Sequence, residues 1–583
     1  MIALQTLRRL LLGSTVLLLQ LPNLAHAETT IAALPVVKPA ISCAALTRVD
    51  LQAIGGKGSQ VESASETTSN GVTACEVQGT LAPSIGFKVM LPTHTWTQRY
   101  LQVGCGGLCG RISLQVGAAE GCAPLNSGGF VLAATDMGHE GMDNSWGNDA
   151  QKRADFAHRG VHLTALAAKQ LIGAYYGQQP AYAYFTGCSD GGREALIEAQ
   201  RYPDDFNGII AGAPALNFLV QNSIYHAWQA RANQDGEGKA ILVASRLPIL
   251  HKAVLQQCDG LDGQVDGLIS DPRACRFDPA TVQCKASATD TSDCLSAREV
   301  EAARSLYDGP RDPATGERLT IAGPQPGSEL AWAGVFVPDS VDQPINSEKM
   351  ALDVLRNLAF ERNPGADYSL ADVKFDRSTL DQLRALHPLY DATNPDLSAF
   401  ADRGGKLILW HGWADQHISP LNTIAYHQAV QVQMGQSKAE SFERLYLLPG
   451  VYHCGGGEGP SLLDLLTPMM SWVEKGQAPA AIVTLQASSK QAAASEFGAP
   501  TNLPGRAAAD QKPSMMAPRS VAQDPANDGR TRLVFPYPDV AVYDGKGDVK
   551  SADSYVRSPN AVDEKTPQWL GSDFFTPYAP LQR

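Results

Sequence analysis

Ser189, Asp415 and His453 each follow an apolar run, and together they have the residue types and chain order suited to nucleophilic acyl transfer. Ser189 sits in Gly187-Cys188-Ser189-Asp190-Gly191, a G-x-S-x-G pattern between the apolar "AYAYF" and a stretch that reads as helix. Small residues at 187 and 191 allow a sharp turn that lifts the hydroxyl to the strand tip. There it adjoins a helix N-terminus, whose partial positive charge favours a developing anion. A serine hydroxyl is a weak nucleophile, so a histidine must take its proton and a carboxylate must orient that histidine. Asp415 follows "KLILWHGWA" and His453 follows "RLYLLPGVY", which places both on loops after strands. A helix cap explains Ser189 or Asp415 alone, and a surface loop explains His453 alone; their shared order favours a triad. His411 and His417 compete for the base role, but they lie on the loop of Asp415 itself, whereas His453 comes from the next strand. A tetrahedral intermediate also needs two N–H donors. One is expected from Asp190, and the other from Gly104 or Cys105 in the turn "VGCGGLCG". No histidine or further cysteine cluster accompanies that turn, which argues against a metal there.

A second constellation lies in "CDGLDGQVDGLISDPRAC", residues 258–275. Asp259, Asp262 and Asp266, with the carbonyls of Gln264 and Leu268, offer hard oxygen ligands for Ca2+, although the spacing is not that of an EF-hand. A solvated Asp-Gly turn explains the same spacing. A loop closed between Cys258 and Cys275 would prearrange the carboxylates.

The elements that must position these groups are legible as β-runs: "GFKVMLP", "YLQVGCGG", "FVLAATDMG", "AYAYFTGCS", "NGIIAGAPA", "KLILWHGWAD" and "RLYLLPGVYHC". Helical spacing over 153–176, and again from Gly192, separates some of them, so the chain alternates β and α and implies a mainly parallel sheet. The expected architecture is an α/β-hydrolase fold with a large inserted lid domain. Its parts are a catalytic first part over 28–216, a lid with the calcium loop over 217–400 and a catalytic second part over 401–583. Within the last part, 486–530 is low in large apolar residues and reads as a long mobile loop.

Residues 1–27 have the order of a secretory signal: Arg8 and Arg9, an apolar core, then "AHA" before Glu28. The apolar core is shorter than the ~20 residues a bilayer requires, and no later run is long enough to span one. Losing Arg8 and Arg9 with this segment takes the formal charge from −13 to −15, which argues against a nucleic-acid partner. Export, secreted or periplasmic, makes disulfides the expected state of the eleven cysteines, with at least one left over. Sequence neighbours suggest the pairs Cys258 with Cys275, Cys284 with Cys294, and Cys43 with Cys75.

Taken together, "GCSDGGRE", "HGWADQHISP", "PGVYHC" and "CDGLDGQVDG" resemble the tannase and feruloyl esterase family of α/β-hydrolases, from about residue 40 to 480 and again over 536–548. The resemblance implies a disulfide between Cys188 and Cys454, a structural Ca2+ on Asp259, Asp262, Gln264, Asp266 and Leu268, and hydrolysis of small aromatic esters such as those of ferulic or gallic acid. It also implies a ring-binding lid, for which Trp332 and Phe336 are candidates, although a lid core explains these two residues at least as well. Members that cleave mono(2-hydroxyethyl) terephthalate carry Phe where this chain has Ile418, so a terephthalate monoesterase is the alternative reading. Two features depart from the pattern: Cys105 and Cys109 stand where smaller or polar residues are usual, and "VFPYP" lacks the customary cysteine.

Overall fold

The computed structural model describes residues 30–69, 71–141, 143–486, 529–560 and 562. The expected signal segment, 1–27, and positions 487–528 of the expected loop lie outside the described residues.

The strands are β1 (Gln60–Ser69), β2 (Val72–Leu81), β3 (Ile85–Pro92), β4 (Arg99–Val103), β5 (Phe130–Thr135), β6 (Tyr182–Cys188), β7 (Gly208–Gly212), β8 (Lys406–Gly412) and β9 (Glu443–Leu448). They form one sheet in the order β1-β2-β3-β5-β4-β6-β7-β8-β9. From β5 to β9 every neighbouring pair is parallel, while β1, β2 and β3 form an antiparallel edge. The parallel strands read as continuous apolar runs because both their faces are covered. Leu407 and Leu409 enter one core cluster, and Ile408 and Trp410 of the same strand enter another. Helix α1 (Gly160–Tyr176) contributes Leu171 and Ile172 to the first cluster. A C-terminal helix (Leu466–Lys475) contributes Met469 and Trp472 to the second.

Helix α2 (Asp190–Arg201) starts directly from the tip of β6. Its sequence looks amphipathic, yet Arg193, Glu194 and Glu198 are all fully buried. Between β7 and β8, residues 213–405 hold the helices Leu247–Cys258, Ala297–Asp308 and Asn346–Asn357 and no strand of this sheet.

Cys43–Cys75, Cys258–Cys275, Cys284–Cys294 and Cys188–Cys454 are disulfides. A fifth, Cys105–Cys109, closes the turn after β4, and Cys122 is the free thiol, buried. Among the described residues no helix is long and apolar enough to cross a membrane.

Candidate active site

Ser189 occupies the junction of β6 and α2 with φ 64° and ψ −120°, a left-handed conformation that L-residues adopt at a cost of about 1–3 kcal/mol. Two glycines permit the bend. A methyl group on Gly187 would lie 2.3 Å from the Gly191 carbonyl oxygen, and one on Gly191 would lie 2.8 Å from the Cys105 oxygen. The hydroxyl-bearing residue is half-buried, and Asp190 opens α2, where main-chain N–H groups have no partner within the helix.

Asp415 and His453 leave the ends of β8 and β9, both buried. His453 Nδ1 lies 2.7 Å from Asp415 Oδ2. The other carboxylate oxygen, Oδ1, accepts the main-chain N–H groups of His417 at 2.8 Å and Ile418 at 2.9 Å. His411 closes the far side. Its Nε2 faces two acceptors, Asp415 Oδ2 at 3.0 Å and the Ile418 carbonyl at 3.1 Å, so Nε2 carries the proton and Nδ1 accepts from the Thr423 hydroxyl at 2.8 Å. Burial alone would raise the Asp415 carboxyl, but His453 and His411 outweigh it and hold the group well below the usual carboxylate range. Asp415 is therefore a permanent anion shared by two imidazoles.

Cys188 and Cys454, one residue before Ser189 and one after His453, are bonded with their Cα atoms 5.9 Å apart. The segment 213–405 packs onto the same loops. Gln221 Nε2 donates to the His417 carbonyl, and Gln229 Nε2 donates to the Gln416 carbonyl at 3.0 Å. The Gln416 side chain in turn accepts the His453 N–H at 3.2 Å. The rings of His226 and His453 lie 5.8 Å and 5.0 Å from that of His417. Burial lowers His226 to about 4 and His417 well below its ordinary value, and the nearby His453 adds to both effects, so both are neutral at neutral pH.

Several expected roles are corrected by these contacts. Gly104 is not a free oxyanion donor, because its N–H is committed to the Thr186 carbonyl at 2.9 Å in the sheet. The Cys105 N–H faces Glu194 Oε2 at 3.3 Å. Asp190 keeps its position at the helix start. Trp332 and Phe336 have no accessible surface; Trp332 meets Tyr307 edge-on and packs tilted against Phe336 inside the 213–405 segment, and its Nε1 donates to Ser328 Oγ, so their rings are core and not ring contacts for a ligand. The Ile418 side chain is buried as well, and it is the Ile418 main chain that orients Asp415 and His411.

In the acidic loop, Asp259 accepts the N–H groups of Asp266 and Gly267, Asp262 that of Gln264, and Asp266 that of Leu268. The donor set of three carboxylates and main-chain carbonyls has the hardness Ca2+ requires. Burial raises the Asp259 carboxyl and the charge of Asp266 adds to it, a repulsion that a divalent cation would relieve. The Oδ2 oxygens of Asp262 and Asp266 are bound by Arg532 at 3.2 Å and 2.7 Å, a contact from the C-terminal part that the sequence did not signal. Among the described residues, two groups bring three or more metal-ligating side-chain atoms within 4.8 Å of one another, and Asp259, Asp262 and Asp266 are not one of them. In one, Cys105 and Cys109 are spent on a disulfide beside Asp190 and Glu194. In the other, His162, Glu198 and Asp205, the Lys169 ammonium already lies 3.6 Å from Asp205.

A model of the family "Tannase and feruloyl esterase" matches residues 69–558. Mono(2-hydroxyethyl) terephthalate hydrolase of Piscinibacter sakaiensis is 31% identical over 542 residues, covering 82% of this chain and 83% of that protein. A probable feruloyl esterase of Arthroderma benhamiae is 32% identical over 444 residues, covering 70% and 78%. The crystal structure of an esterase from Aspergillus oryzae superposes with a TM-score of 0.72 at 25% identity, covering 89% of this chain and all of that one. The chain belongs to the tannase and feruloyl esterase family and has its α/β-hydrolase fold. It is a carboxylic ester hydrolase.

Proposed function

We propose that this chain is an exported serine esterase that cleaves esters of phenolic acids of the feruloyl or galloyl kind through an acyl-enzyme. The observation that carries the reading is the 2.7 Å Asp415–His453 pair tied beside the Ser189 elbow by Cys188–Cys454. With Nδ1 turned to Asp415, His453 Nε2 is the nitrogen that takes the Ser189 proton as Oγ attacks the ester carbonyl, and then returns it to the leaving alcohol. The carbonyl oxygen becomes an oxyanion held by the Asp190 N–H and by a main-chain N–H of Gly106 or Gly107 in the turn after β4. Water then attacks the acyl-enzyme by the same route in reverse. The five disulfides support action outside the cytoplasm. The acidic loop is proposed to bind Ca2+ as a structural ion, held by Asp259, Asp262, Asp266 and the carbonyls of Gln264 and Leu268.

A second reading, hydrolysis of a terephthalate monoester, is favoured by the 31% identity to the Piscinibacter enzyme over most of both chains. Comparing kcat/KM for methyl ferulate, methyl gallate and mono(2-hydroxyethyl) terephthalate separates the two. The phenolic reading expects one of the first two to lead by at least about tenfold, or roughly 1.4 kcal/mol of transition-state discrimination. A lead for the terephthalate ester overturns it.

A further inference from the structure

The turn after β4 carries a crosslink at the one place where a few tenths of an ångström matter to an oxyanion. Cys105–Cys109 closes Gly106, Gly107 and Leu108 into a small ring with Cα atoms 5.4 Å apart. Gly107, Cys109 and Gly110 all have left-handed φ, at 67°, 64° and 77°, so an open chain of this composition would have many alternatives to this shape. The ring lies directly on the start of α2: a methyl on Gly191 would come within 2.8 Å of the Cys105 carbonyl oxygen. Beneath it Glu194, fully buried, sends Oε2 to the Cys105 N–H, while Oε1 lies 2.7 Å from Cys105 Sγ and 3.3 Å from Cys109 Sγ. Cys109 Sγ is 3.5 Å from Asp190 Oδ2, and that carboxylate is fixed by Arg193 at 2.6 Å and 3.0 Å. The crosslink thus touches both sides of the oxyanion site, the turn and the residue after the nucleophile. It is also within reach of solvent, since Cys105 is half-buried and Gly106 and Gly107 are exposed.

We propose that the Cys105–Cys109 disulfide is a positioning element for the oxyanion-binding turn, and that its reduction by a dithiol lowers the rate of acyl transfer. The proposal rests on the esterase reading above. In the reduction, one thiolate of the dithiol attacks Cys105 or Cys109, the S–S bond breaks, and a mixed disulfide forms. The second thiol of the reductant resolves it. Two electrons and two protons pass to the pair, leaving two cysteine thiols and an oxidised, disulfide-bonded reductant. Two effects then act together: the ring opens, and two new S–H donors face Glu194, where they compete with the Cys105 N–H for its carboxyl oxygens.

The test uses full-length enzyme and methyl ferulate. The Cys105→Ser/Cys109→Ser double variant is compared with wild type and with Cys284→Ser/Cys294→Ser, which opens a surface disulfide far in sequence from the triad. The expected result is a kcat at least about tenfold lower, toward the 10²–10³ loss seen when an oxyanion donor is removed, with KM within about twofold and the control unchanged. That split separates positioning from general loosening, which would lower the melting temperature and raise KM. An unchanged kcat overturns the proposal. Independently of folding of the variant, wild type is titrated with dithiothreitol and alkylated, and residual activity is set against peptide-mapped alkylation. Activity falling with modification of Cys105 and Cys109 supports the proposal; activity falling only with Cys188 and Cys454 overturns it. Wild type that hydrolyses no ester and leaves Ser189 unlabelled by a fluorophosphonate overturns the esterase reading itself, and this proposal with it.

Discussion

Cys188 and Cys454 are bonded across 266 residues of chain, each next to a triad residue. The bond limits how far Ser189 and His453 drift apart, and a misplacement near 1 Å costs on the order of a hundredfold in rate. Replacing both with alanine should lower kcat by about that factor. Stability should fall too, by up to about 5 kcal/mol on the chain-entropy account of so long a loop. Kinetics with a melting curve check this; full kcat in the double variant contradicts it.

Asp415 stays charged far below neutral pH because His453 and His411 both face it. Its folded pKa is depressed, so its stabilisation is present above the unfolded value of about 3.9 and is lost as pH falls through the folded one. Asp415→Asn should therefore lower kcat by on the order of 10⁴ without being mimicked by mild acid. His411→Ala, which leaves His453 in place, should cost less, about tenfold, through loss of one hydrogen bond of about 1.4 kcal/mol. Equal losses in the two variants would contradict the separate roles.

Glu198 lies fully buried in α2, and burial first, then the charge of Asp205, pushes its carboxyl well above the ordinary value. A group whose pKa is raised on folding stabilises the fold below its unfolded value of about 4.3 and loses that contribution as pH rises through the folded one. Glu198→Gln cannot ionise and keeps a donor toward Asp205. Its melting temperature relative to wild type should climb as the pH rises above the unfolded value of about 4.3, by about 1 °C per kcal/mol for a chain of this length. A difference independent of pH would contradict this.

On the proposed Ca2+ site, EDTA should lower the melting temperature while kcat at moderate temperature is retained, since an ion bound only to the folded state stabilises it by mass action. Melting curves with added Ca2+ measure it. Loss of activity at an unchanged melting temperature would require a catalytic metal instead.

The parallel strands and the order Ser189, Asp415, His453 were readable in the sequence because a strand buried on both faces is a continuous apolar run with a polar loop after it. The β1–β2 hairpin was not: β1, "QVESASETTS", is a mostly exposed edge strand with little apolar alternation. Nor did sequence distinguish the solvent face of α2 from a buried one, because the cover over Arg193, Glu194 and Glu198 comes from remote parts of the chain. Arg193 reaches the carbonyls of Ala157 and Tyr390 and lies over the rings of Phe156 and Phe218. Trp332 and Phe336 illustrate the same limit: an aromatic pair in a segment that reads as a lid has one composition whether it lines a site or fills a core. The pairing of Cys105 with Cys109, across two glycines and a leucine, depended on a turn geometry that spacing does not specify. His411 was visible as a competing base, and only its position behind Asp415 reveals an orienting role.

Reaction with a fluorophosphonate followed by peptide mass spectrometry tests the central claim most directly. The account predicts a single phosphonylated residue, Ser189, with label abolished in Ser189→Ala and in His453→Ala and hydrolysis of methyl ferulate lost in proportion to labelling. Label at any other residue, or full esterase activity in an enzyme modified at Ser189, would contradict it.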